Sequence, residues 1–177
     1  MPTRTLLLDA AALGRALARM AHEIAERNPE SAHVVLVGIQ RGGVHLARRL
    51  GSLLKEVWRH EVSVGSLDVS MHRDDLNQRV SPHIHPTSIP FDVTDKTVIL
   101  VDDVLFSGRT TRAALDALND FGRPRKIELA VLVDRGHREL PIKADFVGKN
   151  VPTSLQERIN VGLKEEDGED AVHLEKP

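Results

Sequence analysis

Between Asp9 and Asn28, Leu13, Leu17, Met20 and Ile24 recur every three or four residues and form one apolar stripe, which predicts a helix. Asp9 suits its N-cap, and Asn28-Pro29 suits its stop. His33 to Ile39 is a short, valine-rich apolar run, the pattern of a buried strand. Gly42-Gly43 predicts a turn, followed by a second helix to about Trp58. Glu61 to Val69 alternates Val62, Val64, Leu67 and Val69 imperfectly, as a strand does. Thr97 to Val101 is another buried strand. A helix follows from Arg109 to Phe121, ended by Gly122 and Pro124, and Lys126 to Val133 is a further strand.

Strands thus alternate with helices up to about residue 133. That order predicts an α/β fold: a mostly parallel central sheet flanked by helices, in a single domain over residues 1–177. The tail breaks the rhythm. Arg158 to Leu163 and Ala171 to Leu174 predict a C-terminal β-hairpin, with Asp167-Gly168 as its turn. The acidic run Glu165 to Asp170 reads as a solvated turn rather than a site. Ser70 to Phe91 has no period, and so long a patternless stretch in a compact domain is functional or mobile.

Composition narrows the function classes. Hydrophobic residues make up 41% and charged residues 28% of the 177, an ordinary globular balance. With no cysteine there is no disulfide, thiolate metal site or cysteine nucleophile. A net charge of −2 means that any nucleic-acid binding needs a local basic face. No secretory leader pattern and no apolar run of membrane-spanning length is visible, so the expectation is a cytoplasmic protein without a membrane partner.

The most informative stretch is Val98 to Thr110. Its apolar strand is expected to end in Asp102 and Asp103, where an open parallel sheet binds its ligands. Carboxylates there accept hydrogen bonds from vicinal sugar hydroxyls. Ser107, Gly108, Thr110 and Thr111 then surround the start of a helix, where backbone N–H groups and hydroxyls make an anion site. Carboxylates followed by a phosphate cradle describe a ribose 5-phosphate. Two other readings compete. Paired acids also hold magnesium in receiver domains, but there the pair follows the first strand. Asp102 could also simply cap the helix.

The segment resembles the 5-phosphoribosyl-1-pyrophosphate (PRPP) signature of type I phosphoribosyltransferases. The resemblance implies that Asp102 and Asp103 hold the ribose hydroxyls and that the loop through Val104, Leu105, Phe106, Ser107, Gly108, Arg109 and Thr110 holds the 5-phosphate. Further blocks are similar to the bacterial bifunctional pyrimidine-operon regulator/uracil phosphoribosyltransferase family: Arg73-Asp74-Asp75-Leu76, Ile89-Pro90-Phe91-Asp92, Val131 to Pro141 and Asp145 to Ser154. The likeness runs from about Met20 to Gly168.

That resemblance implies two activities. One converts uracil and PRPP to UMP and pyrophosphate, with Mg2+ held mainly through PRPP and no protein ligand assigned to the metal. The other binds the leader mRNA of pyrimidine operons when UMP or UTP is bound, and promotes transcription termination. It further implies that Met71 to Leu76 matches a mobile loop that closes over PRPP, with Arg73 a candidate pyrophosphate contact. Arg135 and the backbone near Ile159 would lie close to the nucleotide. His22, Arg27, Arg138, Lys143 and Lys149 match the RNA-facing surface, and the assembly would be a homodimer or homotetramer.

The chain departs from the family in the leaving-group half of the site. The family's Thr-Arg-Gly pyrophosphate loop is Arg41-Gly42-Gly43 here, and His72 stands where Tyr is usual. Gly42 permits close approach to an anion, and Arg41 is a neighbouring charge. Turnover is therefore expected to be weak, and nucleotide binding is expected to be preserved. A nucleotide-sensing RNA-binding regulator without transferase activity, and a transferase for another base such as a purine, remain alternatives. Without the resemblance, RNA binding would not be inferred: aromatics are 3% and tyrosine is absent, so there is no stacking platform.

Overall fold

A computed structural model describes residues 1–72 and 85–177. The chain runs β1 (Thr3–Leu8), α1 (Ala10–Arg27), β2 (Val34–Ile39), α2 (Gly42–Trp58), β3 (Val64–Leu67), β4 (Thr97–Leu105), α3 (Arg109–Leu118), β5 (Lys126–Asp134), β6 (Phe146–Asn150), β7 (Arg158–Gly162), α4 (Lys164–Asp167) and β8 (Ala171–Lys176). Five parallel strands form the main sheet in the order β3-β2-β4-β5-β6. A second, antiparallel sheet has the order β1-β8-β7 and joins the two ends of the chain. Among the described residues no helix is long and apolar enough to cross a membrane.

Strand alternation divides the core between the two faces of the main sheet. On one face Ile99 and Val101 of β4 meet Leu13, Leu17, Met20 and Ile24 of α1 and Leu46, Leu50 and Leu54 of α2. On the other, Val98 and Leu100 meet Ala113, Ala117 and Leu118 of α3. The second sheet is welded to the first face, because Leu8, Leu163 and Val172 lie in the same apolar cluster.

The α1 stripe and its caps match the pattern in the sequence. Asp9 accepts the Ala12 N–H at 2.8 Å, and Asn28 closes the helix through its N–H to the Ile24 carbonyl. Elsewhere the structure corrects the expectations. Gly42 and Gly43 do not make a turn but open α2, because the helix presses onto the sheet. A Cβ on Gly43 would sit 2.2 Å from the Val101 carbonyl oxygen, and one on Gly38 would sit 2.5 Å from the Gly43 oxygen. β4 does not stop before the two aspartates; it continues to Leu105 because β5 runs beside it, pairing Asp102 with Val131 and Leu105 with Asp134. α3 ends at Leu118, and tighter turns carry the chain to Phe121 before Gly122 turns with a φ of 139°.

Two strands lack a clear pattern in the sequence. β1 is mostly exposed and is held by β8 from the far end of the chain; β6 is a short edge strand. The C-terminal hairpin forms, but its connection is the one-turn α4, closed by Gly168 at a φ of 82°, rather than a tight Asp-Gly turn. The acidic run is exposed, as expected, but it is also docked. Arg49 of α2 pairs with Glu165 and Asp170, and Arg41 and His45 pair with Glu166.

Candidate functional site

β2 connects onward to β3 on one side and, later in the chain, to β4 on the other. The strand order therefore reverses between β2 and β4, the place where open α/β sheets bind ligands. A cavity of about 1150 Å³ opens there. Its floor is made by Gln40, Arg41 and Gly42 after β2, and by Asp102, Asp103 and Val104 on β4. Thr110 of α3 lies at one side, and the opposite wall comes from Ile159 to Val161 of β7 and Glu166 and Asp167 of α4. The small sheet thus stands over the site as a hood.

Alternation along β4 separates the two acids. Asp102 follows Val98 and Leu100 toward the α3 face, while Asp103 follows Ile99 and Val101 toward α2. Asp102 is 8% exposed and accepts the Asp103 N–H at 2.8 Å; Asp103 accepts the Val104 N–H at 2.8 Å. A carboxylate accepts several hydrogen bonds, and a ribose hydroxyl is the kind of donor it takes. Gly42 leaves room for Asp103, since a Cβ there would lie 2.7 Å from its Oδ2.

After β4, Phe106 to Gly108 lead into α3, with Gly108 as its N-cap at a φ of 92°. The first turn of a helix directs backbone N–H groups outward, and its dipole favours an anion. The loop is braced from behind by the segment after β5. The N–H groups of Glu139 and Leu140 donate to the Ser107 carbonyl, and Arg138 donates to the carbonyls of Phe106 and Ile142 and to Asp134. Arg109 donates to Glu139 at 2.8 Å. Arg135, only 7% exposed, lies over the Phe106 ring at 4.2 Å and donates to Thr153 Oγ1 and the Ser154 carbonyl. Burial lowers the pKa of the Arg135 guanidinium, an effect partly offset by Glu157.

The cavity wall brings together Arg41, Gly42, Asp102, Asp103, Val104, Thr110 and Ile159. Leu105 turns into the core, Phe106, Ser107, Gly108 and Arg109 form the loop that leads to Thr110, and Arg135 is buried against Phe106 beside that loop. Arg73 falls outside the described residues. Several lining residues carried no signal in the sequence. Asp68 is one: it accepts the Ser70 N–H and hydroxyl and the His85 N–H. Burial raises its pKa, but these bonds outweigh that effect and leave it below the ordinary value. Glu166 and Asp167 are others, set in the run read as a solvated turn.

The five basic candidates lie away from the cavity. His22 and Arg27 are exposed on α1, which packs on β6, where Lys149 is exposed; Arg19 fixes this packing through the Gly148 carbonyl. Lys143 is exposed in the connection before β6. Arg27 pairs with Asp145 at 3.1 Å and approaches buried Glu128 at 3.5 Å, while Arg138 is half-buried in the brace just described.

The Phosphoribosyl transferase domain model matches residues 4–163. Curated relatives carry the name Bifunctional protein PyrR. That of Roseiflexus sp. (strain RS-1) is 61% identical, covering 92% of this chain and 89% of the relative. That of Oceanobacillus iheyensis is 54% identical, covering 98% of each chain. The chain belongs to the bifunctional PyrR family. The fold is shared more widely. The Trypanosoma cruzi hypoxanthine phosphoribosyltransferase superposes with a TM-score of 0.74 at 16% identity, over 98% of this chain and 97% of that one. A Staphylococcus aureus hypoxanthine phosphoribosyltransferase gives 0.72 at 20% identity, over 98% and 93%. At such identities the likeness speaks for the fold alone, and the PyrR relatives, not these purine enzymes, bear on the choice of base.

Proposed function

We propose that this chain is a uridine-nucleotide-responsive regulator of pyrimidine biosynthesis that binds leader mRNA and promotes transcription termination, and that it also converts uracil and PRPP to UMP and pyrophosphate. The observation that carries the reading is the pairing of Asp102 and Asp103 with the N-terminus of α3 across one cavity, in a chain 61% identical to a Bifunctional protein PyrR. The whole of residues 1–177 acts as one domain, since the hood shares the core of the main sheet.

In the transfer reaction, N1 of uracil bonds to C1 of the ribose as the C1–pyrophosphate bond breaks, and the N1 proton leaves. Positive charge grows on the ring and negative charge on the leaving group, so the protein contributes positioning and electrostatics. Asp102 and Asp103 orient the ribose through its hydroxyls. Ser107, Gly108 and Thr110, with the α3 amides, hold the 5-phosphate. The Arg41-Gly42 loop faces the pyrophosphate, and Arg73 is a candidate for a further contact with it. Val104, Leu105, Phe106 and Arg109 shape and brace the phosphate loop, while Arg135 and the backbone at Ile159 flank the base.

Among the described residues no group of three or more His, Asp or Glu side chains is placed to hold a metal by itself. The carboxylate-rich wall suits a magnesium ion that arrives bound to PRPP, with Asp103 beside the Arg41-Gly42 loop. When bound, such an ion would supply positive charge to the leaving group. His22, Arg27, Lys143 and Lys149 would contact RNA phosphates, and Arg138 would support that face from its half-buried position. The protein works in the cytoplasm as a homodimer or homotetramer.

Two assays test the halves separately. With saturating PRPP and magnesium, uracil should be converted to UMP at a slow but measurable rate. Binding of PRPP without any UMP formation would leave only a sensor. In a gel shift, UMP should raise affinity for a pyrimidine-operon leader hairpin; no shift at low salt with folded protein would end the regulatory reading.

A further inference from the structure

Arg41 stands just beyond the tip of β2 and lines the cavity, yet its guanidinium lies on Glu166, with Nη2 2.7 Å from Oε2. The other oxygen of that carboxylate meets His45 Nε2 at 2.9 Å. Glu166 reaches this position because α4 is docked on the first turns of α2 through the His45–Glu166, Arg49–Glu165 and Arg49–Asp170 pairs. The cavity wall carries Asp68, Asp102, Asp103, Glu166 and Asp167, against Arg41 as its single guanidinium among the described lining residues. Among the described lining residues Arg41 is the guanidinium that a diphosphate in this half of the site meets, and Glu166 already pairs with it.

We propose that Glu166 is a positioning residue that keeps Arg41 off the pyrophosphate subsite until a diphosphate displaces it, so that the pocket favours a nucleoside monophosphate over PRPP. The proposal rests on the nucleotide-site reading above and adds how the two ligands are told apart. UMP carries only the phosphate held at α3 and leaves the Arg41–Glu166 pair intact. PRPP and free pyrophosphate must break it. The exchange disturbs no core, since the side chains of Arg41 and Glu166 are 61% and 36% exposed. The pair persists throughout the neutral range, because the His45 and then the Arg41 hydrogen bonds hold Glu166 down to about 2. A regulator built this way reports end-product nucleotide even when PRPP is plentiful.

Calorimetric titration of the full chain with pyrophosphate, PRPP and UMP tests the idea. Glu166→Gln should tighten pyrophosphate and PRPP roughly two- to fivefold, the scale of a lost solvent-exposed ion pair, and leave UMP unchanged. Adding Arg41→Ala to Glu166→Gln should remove the gain. A thermal melt of Glu166→Gln, in which the Arg49 pairs remain, serves as the folding check. Unchanged or weaker pyrophosphate binding in folded Glu166→Gln, or an equal shift for UMP, would overturn the proposal. Failure of the wild-type chain to bind UMP would instead remove the nucleotide site beneath it, and the UMP arm separates these outcomes.

Discussion

Gly42 and Gly43 are neighbours with different duties. A Cβ on Gly43 would meet a backbone carbonyl, which cannot yield, so Gly43→Ala should cost about 1–3 kcal/mol in urea unfolding. A Cβ on Gly42 would meet the Asp103 side chain rather than backbone, 2.7 Å from Oδ2 and 3.2 Å from Cβ, and the carboxylate can swing away. Gly42→Ala should therefore change unfolding free energy by less than about 0.5 kcal/mol, yet weaken PRPP and UMP binding by displacing a ribose contact. A large stability loss in the second variant, or unaltered binding, would contradict this division. The pair was visible in the sequence as punctuation. Its two roles were not, because each is set by an atom of β4, a strand far along the chain. Asp102 and Asp103 were legible because a local run of residues carries their meaning: an apolar strand, two acids, then small polar residues at a helix start.

At the scale of elements, α4 pins the hood to α2. Arg49 donates to both Glu165 and Asp170, and these two acids lie below their ordinary values chiefly because of its hydrogen bonds. Arg49→Met should lower stability by about 1 kcal/mol after solvent screening. The sign with pH follows from the direction of these shifts. Carboxyls whose folded pKa is depressed stabilise the fold above their unfolded value, and that contribution is lost as pH falls through the folded one. For Glu166 the window runs from 4.5 down to about 2. The urea midpoint should thus drop as pH falls from 4.5 to about 2, and drop less in a Glu165→Gln/Glu166→Gln variant. Equal slopes would show that the pairs contribute nothing. α1 and the inner strands β2, β4 and β5 could be read from the apolar pattern alone. β1 and the docked acidic run could not, because their partners, β8 and Arg49, are distant in sequence and charge runs are solvated by default.

Across the whole molecule, the proposed nucleotide cavity lies at the strand tips under the hood, while His22, Arg27 and Lys149 gather where α1 packs on β6. RNA held by such side chains should bind with a log affinity that falls linearly with log salt, and neutralising Arg27 and Lys149 together should flatten that slope. An unchanged slope would place the RNA elsewhere. The parallel α/β architecture was legible from the alternation of elements, whereas of the hood only the C-terminal hairpin was, since β1 joins it from the other end of the chain. The account as a whole depends on one pocket recognising ribose 5-phosphate. Isothermal titration of UMP into the wild-type chain and into Asp102→Asn/Asp103→Asn addresses it directly. Saturable binding by the first, and loss of that binding in a folded second, is the predicted result; no heat with the wild type, or equal affinity in both, would contradict it.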